Sequence, residues 1–253
     1  MTQLSINLNK VALIRNSRDT DIPDVVEFAR AVIDAGAQGI TVHPRPDQRH
    51  IRAQDCAALQ QAVEVELNIE GNPFAAARSS DRTGVSDYPG YMTLLEQVRP
   101  AQATLVPDSD NQLTSDHGFD LSRDSERLAP IVAQLKAWGC RVSLFMDPVP
   151  EAMSAAAEVG ADRIELYTEA YADAHKTGNF AAVLARYREA AVAAQEAGLG
   201  VNAGHDLNLD NLPDFRLPDL LEVSIGHAFT VDALRFGLRE AVHRYRAALQ
   251  AAA

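Results

Sequence analysis

The segment Ile40-Thr41-Val42-His43-Pro44-Arg45-Pro46-Asp47-Gln48-Arg49-His50 runs from β-branched apolar residues straight into imidazoles and guanidiniums. The core of a strand has no use for such groups. The pattern reads as a strand that delivers a general base, His43, to the edge of a sheet, followed by a cationic loop suited to an anion. Other apolar runs end in the same way. In chain order the runs lead into Asn7, His43, Glu70, Pro107, Asp147, Glu165, His205 and His227. Most of these are acid–base groups of the kind that repeated proton transfer requires.

Two of these ends carry a glycine before the histidine, Gly204-His205 and Gly226-His227. Glycine lets backbone N–H groups come close to phosphate oxygens, and a following helix N-terminus adds a favourable potential. The plain alternative is two tight turns with incidental histidines. Arg18, Arg45 and His50 form a second candidate anion grip, whose alternative is exposed loop cations; for Arg49 and Arg52 the exposed-cation reading is preferred. His43, Glu70, His205 and His227 could also surround a zinc ion with one open position. HExxH and His-x-His are both absent, so no metal is expected.

The elements that must position these groups follow from periodicity. Strands are expected at Leu4–Asn7, Gly39–Val42, Val65–Ile69, Ala101–Val106, Arg141–Met146, Ala161–Leu166, Gly200–Ala203 and Leu220–Ile225. Helical spacing of apolar residues follows Pro23, and further helices are expected at about Gln54–Val63, Tyr91–Val98, Ser125–Trp138, Pro150–Val159, Phe180–Ala197 and Val231–Leu249. Gly36, Gly139, Gly160 and Gly198 each stop a helix just before a strand. Eight strands alternating with helices predict an α/β fold with a parallel sheet closed into a (β/α)8 barrel, one catalytic domain over residues 1–253. An open doubly wound sheet would want a glycine-rich phosphate loop after its first strand, and GxGxxG and GxxxxGK[ST] are missing. Pro73–Gly90 reads as an insertion after strand three, Asp108–Asp120 as a long polar loop that is a functional lid or a disordered segment, and Tyr167–Gly178 as a polar loop.

Composition limits the partners. The net charge is −12, from 23 basic and 35 acidic residues, which argues against nucleic acid or a membrane surface. An anionic ligand must then be held by local clusters. Cys56 and Cys140 are far apart and suggest neither a disulfide framework nor zinc. No apolar run approaches the roughly 20 residues of a membrane span, and Met1–Asn7 lacks a signal-peptide pattern, so a cytoplasmic protein is expected.

Gly39-Ile40-Thr41-Val42-His43, with Arg45, Asp47 and Arg49-His50-Ile51, resembles the signature of the pyridoxine 5'-phosphate synthase family. So do Leu67-Asn68-Ile69-Glu70, Leu105-Val106-Pro107, Val142-Ser143-Leu144-Phe145, Val201-Asn202-Ala203-Gly204-His205 and Ile225-Gly226-His227, in the family's order and through essentially the whole chain. The resemblance implies condensation of 1-deoxy-D-xylulose 5-phosphate with 3-amino-2-oxopropyl phosphate to pyridoxine 5'-phosphate, releasing phosphate and water, with no cofactor. It implies His43 and Glu70 as general bases, His205 as general acid and Glu165 as a stabiliser of charged intermediates. Asn7, Arg18, Gly226 and His227 would hold the amino-ketone phosphate. Arg45, His50 and Thr114 would hold the pentulose phosphate. A homo-octamer, a tetramer of dimers, is also implied.

The chain departs from the family pattern at three places. Asn9-Lys10 stands where Asp-His is commonest, and reads as a variant substrate grip. Lys10 as a Schiff-base donor, in a barrel acting on another phosphorylated ketone, is the enzymatic alternative; a non-catalytic sugar-phosphate binder is the other. Asp206 replaces a glycine beside His205, where a carboxylate would repel phosphate unless it pointed away, leaving its backbone N–H as the substrate contact. Pro73–Gly90 is longer than the family's usual connection.

Overall fold

A computed structural model describes residues 1–18, 20–110 and 112–252. Eight parallel strands close in sequence order: β1 (Gln3–Asn7), β2 (Gly39–Val42), β3 (Glu66–Gly71), β4 (Gln102–Leu105), β5 (Arg141–Met146), β6 (Arg163–Tyr167), β7 (Gly200–Gly204) and β8 (Leu220–Ile225), with β8 returning to pair with β1. The expected (β/α)8 barrel is therefore the fold.

Closure follows from the alternation along each strand. Leu4, Ile6, Ile40, Val42, Leu67, Ile69, Val142 and Leu144 are buried in the main apolar core. The residues between them carry hydrogen-bonding groups that pair across neighbouring strands. Ser5 Oγ lies 2.7 Å from Thr41 Oγ1, and Thr104 Oγ1 donates to Asn68 Oδ1 at 2.9 Å. At the N-terminal end of the strands Arg141 pairs with Glu66, and Arg163 with Glu222 at 3.6 Å. The barrel thus has an apolar jacket and a polar lining.

Gly36, Gly139, Gly160 and Gly198 all have φ between 85° and 112°, the left-handed conformation that ends a helix cheaply when the residue is glycine. The expected junctions are all present.

Ten helices are formed among the described residues: α1 (Asn9–Asn16), α2 (Val25–Asp34), α3 (Ala53–Ala62), α4 (Tyr91–Val98), α5 (Leu121–Ala137), α6 (Met153–Glu158), α7 (Glu169–Lys176), α8 (Ala181–Glu196), α9 (His227–Phe236) and α10 (Leu238–Ala252). Three of them correct the sequence reading. Helix α1 was not expected, because its face is inverted: Val11, Ala12, Arg15 and Asn16 are buried while Leu13 and Ile14 are exposed. The Tyr167–Gly178 segment is not a polar loop but the short helix α7, which buries only Tyr171 and Ala172. The last helix is two, because Gly237 at φ 84° turns the chain between α9 and α10. The expected insertion, Pro73–Gly90, carries a single antiparallel bridge between Arg78 and Tyr88 and anchors itself by burying the Tyr88 ring.

Candidate active site at the C-terminal mouth of the barrel

Glu70 belongs to β3, Glu165 to β6, and His43 and His205 directly follow β2 and β7. A parallel barrel brings all such ends to one mouth. His43 Nδ1 lies 3.7 Å from Glu70 Oε2, both side chains nearly buried. Burial first, then the charges of Arg45, His50 and Arg49, hold the His43 imidazole well below its usual pKa. Burial first, then Glu165 and Asp108, pushes the Glu70 carboxyl well above the carboxylate range. The two shifts run in opposite directions, away from an ion pair and toward a neutral imidazole beside a protonated carboxyl. Burial also raises Glu165 to about 7, with His205 acting in the opposite direction.

β7 ends with Gly204 because Glu165 needs the room: a Cβ on Gly204 would come within 2.5 Å of Glu165 Oε1. Beyond it His205 presents Nε2 to Thr114 Oγ1 at 2.8 Å and Nδ1 to Asp206 Oδ2 at 2.8 Å. Thr114 lies in the long loop after β4, so that loop reaches across the mouth. Its near end is fixed too. Asp108 pairs with Arg45 and accepts from Ser115 Oγ at 2.8 Å, while Arg45 and Arg49 both donate to the Gln112 carbonyl.

His50 corrects one expectation. It is not a cation, because burial and then Arg45, Arg49 and Lys10 lower its pKa to about 3. Its Nδ1 accepts from the Ile51 N–H at 2.9 Å, so the proton is on Nε2 and His50 is a neutral N–H donor. Lys10, half-buried in the first turn of α1, supplies positive charge near it. Asn9 instead has its side-chain oxygen occupied by the His43 N–H at 2.9 Å; it holds the end of β2 in place.

On the other side of the mouth Gly226 caps α9 and His227 begins it. A Cβ on Gly226 would stand 3.2 Å from the Asn7 side chain, so Asn7 and the helix N-terminus adjoin. Unpaired N–H groups there suit an anion. Arg18 is not gathered in: it is exposed beyond the end of α1 and, among the described residues, makes no side-chain hydrogen bond or ion pair with the strand-end set. The Asp206 carboxylate turns to His205.

Sequence reading missed the groups that hold the loops. Arg15 makes a buried two-point pair with Asp55, both contacts 2.8 Å, and donates to the His50 carbonyl. Asn16 Nδ2 reaches the carbonyls of Gln48, Arg49 and His50. Thr168, fully buried, donates to the carbonyls of Gly204 and His205. Val106, Phe145 and Tyr167 form an apolar cluster apart from the main core, with Tyr167 edge-on to His205 at 5.2 Å. Arg15-Asn16 were visible as polar residues after β1; that they face inward was not.

Acid–base side chains on successive strand ends, with a cationic loop on one side and a helix N-terminus on the other, define the class: a (β/α)8-barrel enzyme that works by proton transfer. Comparison with known proteins agrees. The chain belongs to the PdxJ family of pyridoxal phosphate biosynthesis proteins, whose model matches residues 4–251. It is 55% identical over 251 residues to pyridoxine 5'-phosphate synthase of Xanthomonas campestris pv. campestris (strain B100), covering 97% of this chain and 95% of that one. Its identity to the synthase of Xylella fastidiosa (strain 9a5c) is 53% over 249 residues, covering 96% and 93%. Among solved structures, KGPDC from Streptococcus mutans superposes with a TM-score of 0.62 at 9% identity over 99% of this chain and 98% of that one, a likeness of fold.

Proposed function

We propose that the strand-end set of this chain carries out the reaction named in its relatives, the formation of pyridoxine 5'-phosphate. Two small phosphorylated substrates condense, 1-deoxy-D-xylulose 5-phosphate and 3-amino-2-oxopropyl phosphate, and phosphate and water leave. The observation that carries the assignment of roles is the contact of His43 with Glu70, 3.7 Å apart and both buried, where burial lowers the pKa of the imidazole and raises that of the carboxyl. Imine formation, enolisation and elimination each move a proton, so the site needs a base that is free at neutral pH and an acid that is loaded. His43 is the free base. Glu70 begins as a proton donor and becomes a base once it has discharged, a reversal of its expected starting state. Glu165, titrating near neutrality, answers charge that develops on intermediates, and His205 protonates the leaving oxygen from Nε2.

The two phosphates go to opposite sides. Asn7, Gly226 and His227 at the α9 N-terminus take that of the amino-ketone, with Arg18 reaching in from beyond α1. Arg45, His50, Lys10 and Thr114 take that of the pentulose, Arg45 exchanging Asp108 and Gln112 for phosphate oxygens. The whole chain acts as one catalytic domain in the cytoplasm; no helix among the described residues is long and apolar enough to cross a membrane. The octamer implied by the family resemblance belongs to the same proposal, and light scattering measures it directly.

The test is direct. Purified protein given both substrates releases inorganic phosphate and forms a pyridine chromophore; silence with both present refutes the assignment. His43→Ala and Glu70→Gln each reduce turnover by roughly 100-fold or more, as loss of a proton-transfer group does. Near-normal rates would move the acid–base centre elsewhere.

A further inference from the structure

We infer that Asp206 is a positioning residue for His205: its carboxylate holds the imidazole by Nδ1 and turns Nε2 to the mouth, where a general acid must present its proton. The inference rests on the reading of His205 as that acid.

The geometry is specific. Asp206 Oδ2 stands 2.8 Å from His205 Nδ1, and His205 Nε2 stands 2.8 Å from Thr114 Oγ1. With a carboxylate as acceptor, Nδ1 must carry a proton, so Nε2 is the nitrogen that gains and loses one. The backbone makes the arrangement costly. His205 and Asp206 both have positive φ, 77° and 50°, a conformation that side chains other than glycine adopt at some expense. Glycine at 206 would be unstrained there. Asparagine and aspartate tolerate this region best, and aspartate alone adds a charge beside the ring.

The turn is also braced. Thr168 holds the Gly204 and His205 carbonyls, Leu207 N–H donates to the His205 carbonyl at 2.6 Å, and Asn211 Nδ2 donates to that of Asp206 at 3.1 Å. A strained pair of residues held from three directions is a fixed feature of the site.

Other charges surround the ring. Glu165 and Tyr167 face it from β6, the latter bonded to Glu169, and Asp116 lies in the loop that carries Thr114. Lys176 on α7 and His227 at the start of α9 act on Asp206 from outside the turn. Of the carboxylates, Glu165 is raised to about 7, whereas Asp206 is held below the usual range, mainly by its hydrogen bond to His205. Asp206 is thus the carboxylate that accepts from the His205 ring.

Two variants separate charge from geometry. Asp206→Asn keeps an oxygen for Nδ1–H and removes the charge; Asp206→Gly removes both at a position where glycine is relaxed, so the fold is retained. The ring of His205 is followed by nitrogen-15 NMR of histidine-labelled full-length protein, assigned with His205→Gln. The neutral ring stays protonated on Nδ1 in Asp206→Asn and relaxes to a tautomer mixture in Asp206→Gly. kcat with both substrates falls several-fold in Asp206→Gly and is largely restored in Asp206→Asn, while KM values hold. A neutral ring that keeps the parent's Nδ1–H tautomer in folded Asp206→Gly overturns the inference. A protein inactive with both substrates whose imidazole tautomer still responds as stated would discard the assigned reaction and uphold the pair.

Discussion

Gly204→Ala is the substitution that most sharply tests how the mouth is built. The added methyl would come within 2.5 Å of Glu165 Oε1, against 3.4 Å for ordinary contact, and 3.3 Å from the Ser224 carbonyl on the neighbouring strand. The strand pairing holds the backbone, so the carboxylate must retreat by about 0.9 Å, the gap between those two distances. Overpacking of this kind costs about 1–3 kcal/mol, or a Tm lower by roughly 2–12 °C in a chain of this size. The functional effect is larger, because a displacement of about 1 Å in a reacting group costs on the order of 100-fold in rate. Steady-state assays should therefore show kcat down by roughly 100-fold with substrate KM values changed far less. The internal control is the Gly204→Ala, Glu165→Ala pair. Without the carboxylate the methyl has space, so adding Gly204→Ala to Glu165→Ala costs little further stability. A folded Gly204→Ala enzyme with near-normal kcat would mean that Glu165 does not need its observed position. A stability loss that persists without Glu165 would place the clash on β8.

Two further outcomes are expected. Asn16→Ala removes three contacts from the loop bearing His50, leaves buried carbonyls unpaired at a cost of about 1–3 kcal/mol, and raises the KM for the pentulose phosphate several-fold while kcat holds; an equal fall in kcat would refute a purely positioning role. Glu222, buried at the far end of the lumen near Glu66 and Glu165, has its carboxyl raised to about 8 from 4.5. The folded protein keeps a proton there that the unfolded chain releases. That contribution to stability is full below about pH 4.5 and is lost as pH rises toward 8, by at most about 1.4 kcal/mol per pH unit. Denaturant titrations should show Glu222→Gln gaining on the parent protein across that window; parallel curves would refute the raised carboxyl.

The strand and junction pattern was legible because it is local. A β-branched run and a left-handed glycine such as Gly139 are properties of a few adjacent residues, and eight such runs, four of them preceded by such a glycine, specify a closed parallel sheet. The candidate set was legible for a related reason: a parallel barrel sends every strand end to one mouth, so residues that follow strands are neighbours whatever their separation in sequence.

What the sequence could not show is which way a side chain turns once its element packs. Helix α1 hides Arg15 and Asn16 and exposes Leu13 and Ile14, because only Val11 and Ala12 of its buried face join the apolar core while its last turn meets the carbonyls of the His50 loop. His50 reads as a cation and is neutral, since burial among Arg45, Arg49 and Lys10 leaves no room for another positive charge. Asp206 reads as a carboxylate that ought to disturb an anion site and is turned to His205 by a left-handed backbone. In each case residue type and spacing determined that the chemistry was available. Desolvation and the direction of the backbone, which exist only in the closed barrel, decided which protonation state and which partner each group has.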